Sequence, residues 1–183
     1  MRRLTVLLLL LAIVSAALVV VISRQRQPSK PERILRHIRR GALAFHFADY
    51  DRAAAEYRAA LALAPREHFA RQALAETLEH QGDHPAAMRE LQAGVRADPR
   101  SVVPLQNLGF AQFEAADYAG ALASYQACVR LEPGNAYWRT FVGRSYARLG
   151  DTADARREFS AVLETDPDNI AARRGLDTLP SAP

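Results

Sequence analysis

The sequence predicts an all-α protein: an α-solenoid of four helix-turn-helix repeats plus a short C-terminal capping helix, preceded by one transmembrane helix. Three observations carry that expectation. Residues 4–22 hold no charge, and only Thr5 and Ser15 among them are polar. Pro65, Pro99, Pro133 and Pro167 stand 34 residues apart, and a fixed period of this length marks stacked repeats. Further columns agree once the chain is aligned on those prolines.

The uncharged run comes first in the chain. At a helical rise of about 1.5 Å per residue, its nineteen residues reach roughly 28 Å, enough to span a hydrocarbon core. Arg2 and Arg3 precede it and Arg24 and Arg26 follow, so both edges are charged as in a membrane helix. Residues 1–23 are therefore expected to be a signal anchor. A cleaved signal peptide is the competing reading, because Ser15-Ala16-Ala17 has the small residues of a cleavage site. The apolar run continues through residues 18–22 beyond that site, which favours retention. No cysteine adjoins the run, so a lipid-modified anchor is excluded.

A basic linker is expected over residues 24–33. The formal net charge is +4, but up to residue 40 the chain holds nine basic residues against Glu32 alone, whereas the remainder holds fifteen basic and nineteen acidic residues. The repeat region is thus mildly acidic. Nucleic-acid binding, which draws on a basic stripe across the folded domain, is excluded on this distribution. Lys and Arg beside anionic headgroups account for the basic segment.

The repeats follow over residues 34–167, as 34–67, 68–101, 102–135 and 136–169 when each is counted in full. They begin at Ile34, His68, Val102 and Ala136, with the proline at position 32. Position 8 is small (Gly41, Ala75, Gly109, Gly143), position 20 is alanine (Ala53, Ala87, Ala121, Ala155) and position 24 is bulky (Tyr57, Leu91, Tyr125, Phe159). Small residues let helices approach closely. Position 16 is Asp49, Asp83, Asp117 and Asp151, an aspartate suited to cap the second helix. Gly82 and Gly150 precede two of these caps and supply the break between helices. Each proline then ends one hairpin, because it cannot continue a helix. "DNIAARRGLDTL" and the residues after it, 168–183, read as a capping helix and tail stopped by Pro180. Pro31 and Glu32 suit the first turn of the leading helix.

This pattern resembles the tetratricopeptide repeat, a 34-residue helix-turn-helix unit, and "LQNLGFAQFEAADYAGALASYQACVRLEP" carries the likeness best. One departure stands out. Position 4, usually bulky, is His37, Arg71, Leu105 and Arg139, with Trp138 one place early in the last copy, so the first helices are expected to pack less tightly.

The resemblance implies a concave groove lined by positions 2, 5, 9 and 12 of the first helices. Those columns give Leu35, Ile38, Ala42 and Phe45; Phe69, Gln72, Glu76 and Glu79; Val103, Gln106, Phe110 and Phe113; and Tyr137, Thr140, Arg144 and Ala147. Phe110, Phe113, Tyr137 and Arg144 are the expected anchors for a peptide, since buried rings supply energy and polar groups fix register. Phe45 and Phe113 have packing between repeats as their alternative role. The Lys and Asn clamp that some members use at positions 5 and 9 is absent.

No catalytic motif or phosphate-cradling loop occurs. His80 and His84 are separated by Gly82 and Asp83, which makes a surface turn rather than a metal face, and Cys128 is the sole cysteine. The expectation is a non-enzymatic membrane-anchored adaptor, without cofactor, small-molecule substrate or nucleic acid, that binds a protein or peptide partner during assembly or maturation of a membrane complex. A permanent structural subunit with no free groove is the alternative. The composition suggests a bacterial inner-membrane protein. A short basic amino terminus favours a periplasmic solenoid, while the later arginines favour a cytoplasmic one.

Overall fold

A computed structural model of the chain describes residues 13–15 and 28–180. The anchor expected over 1–23 lies outside the described residues apart from 13–15, which are helical. Among the described residues no helix is long and apolar enough to cross a membrane. From residue 30 onward the described chain is nine helices and no strand: α1 (Lys30–His46), α2 (Tyr50–Leu63), α3 (His68–His80), α4 (His84–Ala97), α5 (Val102–Glu114), α6 (Tyr118–Leu131), α7 (Ala136–Leu149), α8 (Thr152–Thr165) and α9 (Ile170–Asp177). Each helix packs on its neighbour in sequence, and α9 closes the stack on α8 and α7.

α1 starts at Lys30 because Ser29 and Glu32 cap each other. The Ser29 N–H donates to Glu32 Oε2 at 2.7 Å, and the Glu32 N–H donates to Ser29 Oγ at 3.4 Å. The bonds that the Ser29 N–H and hydroxyl donate to it hold the Glu32 carboxyl below its ordinary pKa. The linker expected over 24–33 therefore ends at Ser29, and its last four residues form the first turn of α1.

Within the hairpins, Asp49, Asp83 and Asp117 accept hydrogen bonds from the N–H three residues on, at 3.3, 3.0 and 2.9 Å. Asp151 occupies the same N-cap without a side-chain bond. The residue before each aspartate is left-handed, and not only where it is glycine: φ is +79° at Gly82 and +87° at Gly150, but also +56° at Ala48 and +60° at Ala116. A non-glycine residue there costs about 1–2 kcal/mol. Ala116→Gly is accordingly expected to raise stability by about 1 kcal/mol after the extra freedom of glycine in the unfolded chain is set against it. Urea titration reads this directly; a loss of stability would mean that the turn holds no such strain.

Helix pairs close on a small residue set against a ring. A Cβ built on Gly41, Gly109 or Gly143 would lie 2.7, 2.9 or 2.7 Å from the ring of Tyr57, Tyr125 or Phe159. Where Leu91 replaces the ring, Ala75 replaces the glycine. Ala53, Ala87, Ala121 and Ala155 are wholly buried beside these pairs. The buried residues form three clusters, one over α1–α4 with Leu108, one over α5–α7 and one under α9.

At position 4 polar pairs between the two helices of a hairpin stand in for the missing bulk. His37 Nδ1 lies 2.6 Å from Glu56, Arg71 Nη1 2.8 Å from Glu90, and Arg139 Nη1 3.2 Å from Glu158, each nineteen residues on. In the third repeat Leu105 is buried among apolar neighbours and Ser124 takes the place of the glutamate. Trp138 is buried too, and its Nε1 donates to Glu132 at 2.7 Å. That bond and one from Asn135 hold the Glu132 carboxyl below its usual range.

α9 stands where the first helix of a fifth repeat would stand. Arg173, at its position 4, donates to the Pro167 carbonyl as Arg71 does to that of Pro65. A Cβ on Gly175 would stand 2.5 Å from the Phe159 ring, so α9 seats directly on that side chain.

Candidate peptide-binding groove

The first helices α1, α3, α5 and α7 present the groove columns, and the described side chains there sort into two clefts joined by a cluster of rings. The first cleft lies where α3 and α4 meet α5, with a volume of about 790 Å³. Gln72, Glu76 and Phe110 line it together with Glu79. Its walls also include His80, His84, Met88, Asn107 and Glu114, none of which falls in the four groove columns. Glu114 was readable in principle, because it stands four residues after Phe110 and so shares its face. Met88 and His84 belong to α4, and a groove assigned only to first helices omits them. Three carboxylates, Glu76, Glu79 and Glu114, make this cleft acidic; Glu79 is hydrogen-bonded to His84 Nδ1.

The second cleft, about 590 Å³, lies between α7 and α9. Phe113, Arg144, Ala147, Arg148, Ile170 and Arg174 line it, so its charge is positive. The Arg144 guanidinium sits 5.2 Å from the Phe113 ring centre and 4.9 Å from that of Phe141. Arg148 lies 4.7 Å from the Tyr118 ring and bonds its hydroxyl. Stacking on ring faces fixes both arginines without neutralising them.

Between the clefts the rings form one connected cluster. Phe110 meets Phe141 edge-on at 5.0 Å and Tyr125 at 6.0 Å, while Tyr137 meets Phe141 at 4.8 Å. Phe110, Phe113, Tyr137 and Arg144 are thus brought together, through a residue that is in none of the groove columns: Phe141, at position 6. Phe110 and Phe113 are half-buried and carry packing roles as well as exposed edges. Burial raises the pKa of both Tyr125 and Tyr137, keeping their hydroxyls neutral.

Other expected positions lie apart. Phe69 is 56% exposed on α3 and lines neither cleft, as is true of the half-buried Gln106. Thr140 is a correction: it is buried, and its hydroxyl donates to the Ala136 carbonyl at 2.9 Å, so it offers nothing to a ligand. Phe45 packs edge-on against Tyr50 and His80 at 5.6 and 5.1 Å, the packing role that was its alternative. Among the described residues no group of His, Cys, Asp and Glu is placed to hold a metal ion.

None of the curated proteins matches this chain. Solved structures share its fold. MamA is 21% identical with a TM-score of 0.63, the match covering 80% of each chain. PilF of Pseudomonas aeruginosa is 19% identical with a TM-score of 0.62, covering 80% of this chain and 67% of that one. YrrB, described as a tetratricopeptide repeat protein with an unusual peptide-binding site, is 18% identical with a TM-score of 0.59, covering 75% and 71%. The tetratricopeptide repeat family matches residues 44–108 and 112–177. With helix pairs stacked at a 34-residue period and most of its length matched, the chain belongs to the tetratricopeptide repeat family.

Proposed function

We propose that the chain is a membrane-anchored, non-enzymatic scaffold whose groove holds a peptide segment of a protein partner during assembly or maturation of a membrane-associated complex. Members of the family generally mediate protein–protein interaction as scaffolds. The observation that carries the finer reading is the charge polarity of the groove. Glu76 and Glu114 stand at one cleft, Arg144 and Arg174 at the other, and Phe110, Phe113 and Tyr137 between them. A segment with a basic side chain, then apolar residues, then a carboxylate would satisfy all three zones in one orientation only, because the reverse orientation sets like charges together.

An arrayed peptide library probed with the whole chain in detergent tests this. Peptides of that charge order are expected to bind, and Glu76→Lys with Glu114→Lys should move selection towards acidic residues at the first zone. Binding that ignores the reversal would sink the groove reading. The anchor reading is supported by the nineteen uncharged residues flanked by arginines. We place the solenoid on the periplasmic side of a bacterial inner membrane; protease digestion of a tag after Pro183 in intact spheroplasts is the check, and protection of that tag would put the groove in the cytoplasm.

A further inference from the structure

The first helices α3 and α7 each bury one stripe against the hairpin before them. Positions 3, 7 and 10 are Ala70, Leu74 and Thr77 on α3, and Trp138, Val142 and Ser145 on α7, all buried. α1 has no described hairpin before it, and its stripe has a different chemistry. Arg33, Arg36, Arg40 and Leu43 recur at spacings of three and four on one face of α1, Phe47 follows four residues on as its C-cap, and all are exposed. Leu43 is 60% and Phe47 72% exposed, and Arg40 stays largely in solvent although 4.0 Å from Glu56.

A cationic stripe that ends in an exposed leucine and phenylalanine suits an interface with headgroup phosphates on one side and acyl chains beneath. Duplex nucleic acid would use the arginines, but its bases are already stacked behind the phosphates and give Leu43 and Phe47 no apolar surface to bury against. The stripe also begins eleven residues after the uncharged run ends at Ile22. We propose that this face of α1 docks on an anionic bilayer surface, so that the solenoid lies against the membrane rather than swinging on its linker. The linker proximity rests on the anchor reading; the charge and apolar pattern does not.

The test uses the full chain carrying Leu43→Cys labelled with an environment-sensitive fluorophore. Cys128 is fully buried, and burial pushes its thiol up to about 11, so the label goes to position 43. In vesicles with about 30% anionic lipid the emission should brighten and shift to the blue, and not in neutral phosphatidylcholine vesicles. Salt should reverse the change, and Arg33→Gln, Arg36→Gln and Arg40→Gln together should lower the docking equilibrium constant about a hundredfold. The same signal in neutral and anionic vesicles overturns the proposal. So does a signal in neutral vesicles that grows with protein concentration, which would assign the face to a second copy, or one produced there by added duplex DNA. Flotation separates the two readings: a chain that floats only with anionic vesicles refutes the anchor and leaves the docking face standing.

Discussion

Phe141→Ala is expected to lower the free energy of unfolding by about 3–5 kcal/mol, the usual cost of deleting a buried ring together with its paired aromatic contacts. Phe141 is 9% exposed and touches Phe110, Tyr125 and Tyr137, with Arg144 over its face. Removing it leaves one cavity under three rings and takes the support from an arginine, which no rotamer change on a neighbouring helix can refill. Phe69→Ala is the control: 56% exposed on α3, it should change stability by less than about 0.5 kcal/mol. A urea titration in which both variants lose less than 1 kcal/mol would mean that the ring cluster is surface decoration and not the centre of the second core. The same geometry bears on function. Truncating Phe110 would loosen this cluster as well as the groove, so charge changes at the exposed Glu76 and Glu114 report on ligand binding more cleanly than ring deletions do.

Much of the solenoid was legible because its period repeats a physical need at each turn. The prolines end hairpins, the aspartates begin second helices, and the small residue at position 8 makes room for the residue at position 24; each of those requirements names a residue type. The left-handed turn at Ala48 and Ala116 was not legible, since alanine gives no sign of positive φ and only Gly82 and Gly150 advertised it. Taken as one column, His37, Arg71 and Arg139 signify only lost bulk. Their partners Glu56, Glu90 and Glu158 form a column of their own nineteen residues later, and the one repeat with leucine in the first column has serine in the second. Pair chemistry across two helices is visible in sequence only when the two columns are read together. Of the expected groove positions, Gln72, Glu76 and Phe110 line one cleft and Phe113 and Arg144 the other, as the face each occupies on its own helix implies. Thr140 turns its hydroxyl back to its own helix, Met88 reaches the cleft from a second helix, and Phe141 joins the rings from position 6, outside the groove columns.

The pairing of position 8 with position 24 yields a prediction in which one substitution changes sign with its background. Gly41→Ala in the natural chain should cost about 1–2 kcal/mol. Its new Cβ would lie 2.7 Å from the ring of Tyr57, which is 3% exposed and has little room to retreat, and this outweighs the gain of roughly 1 kcal/mol that alanine brings to a helix interior. Tyr57→Leu alone should be destabilising by about 2–3 kcal/mol, from lost ring burial and the space left behind. In that background Gly41→Ala should become stabilising, because the methyl now fills part of the space and the helix preference acts unopposed. The double variant is what the second repeat already contains, Ala75 with Leu91, both buried. A double-mutant cycle by urea denaturation reads the coupling, expected at about 2 kcal/mol for residues in direct contact. If alanine at position 41 is equally unfavourable in both backgrounds, the glycine is there for some reason other than the ring, and the small-against-large pairing does not set the spacing of the two helices.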